Sequence, residues 1–132
     1  MSRFLRLVLG LLFLAAAWPL RAGTPATETT QADPDTIARD ELESARADLK
    51  AGRATKAMNR LSAVFALQGV SELYRAKSMA ITVDLSLRRG DWKLARRCAE
   101  RVVNSTGADE TDRVYCQEIL RTLRQDHPEV FP

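Results

Sequence analysis

Leu87-Arg88-Arg89-Gly90-Asp91-Trp92-Lys93-Leu94-Ala95 joins two apolar stripes that both run at helical spacing. Before it stand Leu73, Ala76, Ala80, Val83 and Leu87, with Ser71 placed to cap them; after it come Trp92, Ala95, Cys98, Ala99, Val102 and Val103, with Asp91 as cap. Gly90 permits the tight reversal that two antiparallel helices need, and the small Ala95 lets the second helix approach the first. The same order recurs 38 residues upstream, where Leu49, Gly52 and Ala57 take the places of Leu87, Gly90 and Ala95. At that offset Leu61 meets Ala99, Val64 meets Val102 and Arg39 meets Lys77. A fixed offset of this size marks an array of helical hairpins.

The flanks extend the pattern. Asp33-Pro34 starts a helix carrying Ile37, Ala38, Leu42, Ala45 and Leu49, because Asp can cap free amides and Pro suits the first helical position. Ala54, Ala57, Met58, Leu61, Val64 and Phe65 form the stripe of a second helix, closed by Gly69. Past a turn at 104–107, Asp109 starts a fifth helix through Val114, Cys116, Ile119, Leu120 and Leu123, ended by Pro128. No segment alternates with period two. The expected fold is therefore all-α, a short solenoid of about five helices over residues 34–127. Residues 128–132 are expected to form a tail, with His127 exposed beside it. Arg113, Glu118, Arg121, Arg124 and Asp126 would give the fifth helix the polar outer face of a capping element.

The Gly90-Asp91-Trp92 turn with Ala95, and its counterpart with Gly52 and Ala57, resembles the tetratricopeptide repeat, a helix–turn–helix unit of about 34 residues. Ala45, Leu61, Val64, Ala99 and Val102 suit the small or apolar positions of that family. The likeness covers about residues 37–107 and departs from the pattern in places. The period of 38 requires four extra residues, expected near 68–71. Thr82-Val83 stands where the family shows a Leu-Gly-like pair, Ser86 where it favours Tyr, and residues 103–107 lack a closing Pro. The resemblance implies a protein-interaction module whose first helices line a concave, peptide-binding groove.

The N-terminus carries an export pattern. Arg3 and Arg6 precede the uncharged run Leu7 to Trp18, followed by Pro19-Leu20-Arg21-Ala22. Residues 1–22 read as a signal peptide cleaved after Ala22, or alternatively after Ala17. The alternative is a membrane-tethered subunit in which residues 4–20 stay as an uncleaved anchor, although a spanning helix wants about 20 apolar residues. No Cys lies near the cleavage site to carry a lipid. The Thr-rich stretch that follows holds no large apolar side chain, so residues 23–33 are expected to be a disordered leader. The expected location is periplasmic or secreted.

Export also removes the apparent basicity. Three of the 20 basic residues leave with the signal and no acid does, so the remaining 17 balance the 17 acids. Nucleic acid, which wants a basic domain, is excluded as the expected partner. One His without partners at ligand spacing argues against a metal, and no cofactor motif is present. Asp40, Glu41 and Glu43 resemble paired catalytic carboxylates, but acids near a helix N-terminus are favoured by the macrodipole anyway. No enzyme activity is expected. Cys98 and Cys116 are the whole cysteine inventory, and in an exported chain an even number favours a structural bridge; their spacing is not that of a redox motif.

The charged residues suggest a binding face instead. Arg39, Arg46 and Lys50 lie on one face of the first helix, and Lys77, Asp84 and Arg88 coincide with them under the 38-residue shift. The resemblance places all six in the concave groove. Five bases with one acid would attract a protein or peptide segment bearing carboxylates.

Overall fold

A computed structural model describes residues 32–132, so the expected signal peptide (1–22) and all but the end of the leader (23–33) lie outside the described residues. Five helices follow one another: α1 (Pro34–Lys50), α2 (Ala54–Ala66), α3 (Glu72–Arg89), α4 (Trp92–Asn104) and α5 (Glu110–Asp126), then a 3-10 turn over Pro128–Val130. The described residues contain no strand.

The 38-residue offset holds at backbone level. It carries both ends of α2 onto both ends of α4, and the starts of α1, α3 and α5 fall at 34, 72 and 110. Both hairpin turns close with the same pair of hydrogen bonds. Gly52 N–H donates to the Leu49 carbonyl at 3.1 Å and Arg53 N–H to that of Asp48 at 2.7 Å; Gly90 N–H donates to Leu87 at 3.2 Å and Asp91 N–H to Ser86 at 2.9 Å. This is the Schellman closure, whose left-handed residue favours glycine; φ is 76° at Gly52 and 72° at Gly90. α5 therefore stands in register with α1 and α3, which refines its expected role as a cap. Glu118, Arg121, Arg124 and Asp126 face solvent as expected. Arg113 instead turns inward, donating to the carbonyls of Ser105 and Ala108, both at 3.1 Å.

Each helix packs on its neighbours in sequence, and α3 also packs on α1 and α5; the backbones of α2 and α4 stay apart, as do those of α1 and α5. The first helices thus form one layer and the second helices another. α3, in the middle, buries Ala76, Ser78, Met79, Ala80, Ile81, Val83, Leu85 and Ser86. One core cluster joins Leu42, Leu61, Val64 and Leu85; the other joins Val83, Ala99, Val102 and Cys116.

Several local expectations are corrected. Asp91 and Asp109 cap α4 and α5, accepting from Leu94 N–H at 3.1 Å and Asp112 N–H at 2.8 Å. Asp33 and Ser71 make no side-chain cap. Asp35 accepts from the Ser71 N–H instead, at 2.8 Å, tying the first turn of α1 to the start of α3. Ile37 and Val114 point to solvent, because their helices need a narrower buried stripe than the apolar spacing offers. The segment after α5 packs down rather than trailing away. Val130 is buried, and the Phe131 ring lies against the guanidinium groups of Arg96 and Arg124, at 5.8 and 4.8 Å. His127 is half-buried and stacks on Trp92 with ring centroids 4.2 Å apart. Burial of apolar and aromatic surface supplies the reason.

Candidate functional site

The layer of first helices carries the six charged residues singled out from the sequence. Between α1 and α3 a cavity of about 200 Å³ is lined by Arg39, Leu42, Glu43, Arg46, Tyr74 and Lys77. A larger one, about 420 Å³, continues over α3 to α5, and its lining includes Arg46, Lys50, Asp84, Arg88, Asp112 and Tyr115. Arg46 belongs to both, so all six residues meet along one groove. Leu49, Ala80 and Ile81 give the larger cavity an apolar floor.

The charge balance differs from the expected five bases and one acid. Glu43 and Asp112 also line the groove. Lys77 pairs with Asp109 and, at 3.3 Å, with Asp112, both at the start of α5. The Asp109 hydrogen bond raises the Lys77 pKa above the ordinary lysine value, and Lys77 in turn holds Asp109 below the ordinary carboxylate value. Asp112 moves the other way: burial pushes it up and the neighbouring Asp109 charge adds to that, against the pull of Lys77. Arg88 pairs with Asp84 at 3.0 Å, and Arg39 lies 3.8 Å from Asp40. That leaves Arg46 and Lys50, both exposed and without an ion pair among the described residues. Tyr115 closes the α5 side, its phenol pushed up by burial and by Asp84.

Other candidates resolve into structural roles. Asp48, only 4% exposed, takes Arg53 and Arg60 on its two oxygens, each at 2.8 Å, and Arg60 reaches on to Glu41 at 3.1 Å. The two guanidinium groups hold the Asp48 carboxyl below its usual range. Glu41 is thus part of a clamp across the α1–α2 turn. No cluster of three metal-ligating side chains occurs among the described residues. None of the described helices is long and apolar enough to cross a membrane. Cys98 and Cys116 are free thiols that face one core cluster, Cys116 fully buried and Cys98 half-buried. Burial pushes the Cys116 thiol up to about 12 and raises that of Cys98 as well.

Sequence spacing singled out six residues that line these cavities but did not pick out Asp109, Asp112 and Tyr115. Asp109 and Asp112 open the helix that follows α3 by one period, and that register was the signal that could have placed them against Lys77. No protein-family model, curated protein or solved structure matches this chain.

Proposed function

We propose that this chain is a non-enzymatic, tetratricopeptide-like interaction module of the periplasm. It holds an acidic peptide segment of an envelope or secretion assembly in the groove along α1, α3 and α5, and so serves as an adaptor or scaffold. The observation that carries the proposal is the convergence of Arg39, Arg46, Lys50, Lys77, Asp84 and Arg88 on two cavities that share Arg46. Arg46 and Lys50, without an ion pair among the described residues and beside an apolar floor, are the groups left to meet a carboxylate.

The test is titration of a fluorescein-labelled hexaglutamate peptide by fluorescence polarisation over a salt series. Binding should weaken as salt screens the attraction. Arg46→Glu with Arg88→Glu should abolish it while the helical circular-dichroism signal stays, since both side chains are exposed. Full binding by the double variant would refute the site. Export is tested separately: N-terminal sequencing of periplasmic protein should begin near residue 23, and a start at Met1 would favour the tethered alternative.

A further inference from the structure

The backbones of α2 and α4 stay apart, and the space between them forms a second groove floored by the opposite side of α3, bridged at one point by Arg101 over the Phe65 ring. At 100° per residue, Glu72, Arg75, Met79 and Thr82 lie on the α3 face turned away from Lys77, Asp84 and Arg88. An apolar pocket of about 330 Å³ lies here, with Met58, Leu61, Phe65, Met79, Leu94 and Cys98 in its wall. It opens into a polar mouth of about 670 Å³ that includes Arg75, Arg97, Arg101, Glu100, Asn104 and Ser105, and the two share Phe65, Met79 and Arg101. Neither shares a residue with the cavities of the first groove.

The mouth has surplus positive charge and unused hydrogen-bonding groups. Glu72 is engaged by Arg75 at 3.2 Å and Glu100 by Arg96 at 3.1 Å. Arg97 has no ion pair among the described residues, and Arg101 lies over the exposed Phe65 ring, 5.2 Å from its centroid. The Nε of Arg75 and the Oγ of Ser105 are buried with no hydrogen-bond partner among the described residues. Buried polar atoms left in this state cost free energy that a ligand can recover.

We propose that the α2–α4 groove is a second binding site, for a peptide in which a large apolar side chain is followed by acidic residues. The apolar side chain fills the pocket beside Met58, Met79 and Leu94. The carboxylates meet Arg97 and Arg101, and the peptide backbone uses Arg75, Asn104 and Ser105. The polar mouth, larger than the apolar pocket and holding both donors and acceptors, fits an extended backbone; an alkyl chain would leave those groups unpaired. Two grooves on opposite sides of α3 would let one small chain bridge two partners.

The test uses a fluorescein-labelled, C-terminally amidated hexapeptide, Gly-Ser-Phe-Glu-Glu-Gly, in polarisation titrations. Saturable binding is expected. Replacing both acids by Gln should weaken it about tenfold or more, and replacing Phe by Ala should do likewise. Arg97→Glu with Arg101→Glu should abolish binding, with Arg97→Gln and Arg101→Gln as a milder pair should the first not fold. Arg46→Glu with Arg88→Glu, which disables the first groove, should leave it unchanged. Absence of binding, equal binding of the Gln peptide, or loss in the Arg46/Arg88 variant would overturn the proposal. So would displacement by sodium dodecanoate at concentrations below those at which the unlabelled peptide competes, since the occupant would then be an alkyl chain.

Discussion

Gly107→Ala tests how one repeat docks on the next. A Cβ built on Gly107 overlaps the Cβ of Glu72 and comes within 3.2 and 3.3 Å of the Glu72 carbonyl carbon and Cα. Comfortable carbon–carbon contact begins near about 3.5 Å. A Cβ cannot rotate away, so relief requires the loop before α5 to slide off the first turn of α3. That loop is pinned: Arg113 holds the carbonyls of Ser105 and Ala108, and Ala108 is buried. Overpacking of this kind costs about 1–3 kcal/mol. Gly107 has no positive φ, so Ala brings no backbone strain and recovers about 0.4–1 kcal/mol through the unfolded state. The net expectation is about 1–2 kcal/mol of destabilisation, or a Tm lower by roughly 4–16 °C for a domain of this size. Gly52→Ala is the internal control. Its Cβ would meet nothing within 4 Å, so it bears only the left-handed strain, about 1–2 kcal/mol. Thermal unfolding followed by circular dichroism measures both. A Gly107→Ala protein that melts at or above the parent temperature would refute the docking of this loop on α3.

Leu85 is 2% exposed at the junction of α3 with the first core cluster, so Leu85→Ala should lose about 2–5 kcal/mol in a urea titration; a loss under 1 kcal/mol would mean that the cluster is loosely packed. Asp48 has a folded-state pKa below its unfolded value, so its stabilisation is present above about pH 4 and lost as pH falls through the folded value. Asp48→Asn should therefore be less stable at neutral pH and show a flatter acid limb; identical slopes in the two proteins would remove Asp48 from the account. In exported protein the Cys98 and Cys116 thiols should be oxidised to one disulfide, two electrons and two protons passing to a disulfide-donating oxidant. Labelling of denatured, unreduced protein should then find no free thiol, and two labelled cysteines would count against the bridge.

Much of the fold was legible because helix propensity, caps and glycine placement all acted locally. The turns at Gly52 and Gly90 are set by the chain within a few residues, and spacing alone located them. Tertiary contacts were less visible. Whether Asp33 caps α1 or Asp35 reaches Ser71 depends on where α3 lies, which no local pattern encodes. Asp48 and Ser86 occupy the same repeat position, and both are buried. Asp48 is satisfied by arginines from α2 and its turn, whereas Ser86 Oγ donates to the Thr82 carbonyl at 2.7 Å, so one position has two solutions. The Phe131 and His127 contacts were hidden for a further reason: a short segment after Pro128 has no periodicity to read.

The repeat holds for the helix starts and the two hairpin turns and breaks for the charges, and the break sets where the first groove is positive. Shifted by 38, Lys77 corresponds to Arg39, while Asp109 and Asp112, which neutralise Lys77, correspond to Ser71 and Tyr74. α3 therefore offers Arg39 no carboxylate where α5 offers Lys77 two. Likewise Arg46 stands at the position of Asp84, and Lys50 at that of Arg88. On α3 these positions form an ion pair; on α1 they hold two like charges one turn apart, which raise each other's need for an external anion. The groove is thus a gradient, basic along α1 and self-neutralised toward α5. Under the proposed function, an acidic segment entering it would have one favoured lie, with its carboxylates at Arg46 and Lys50 and its apolar groups over Leu49, Ala80 and Ile81. Reversing charge on α1 should therefore weaken capture more than the same reversal on α3, because Arg88 is already engaged by Asp84 and Arg46 by no acid among the described residues.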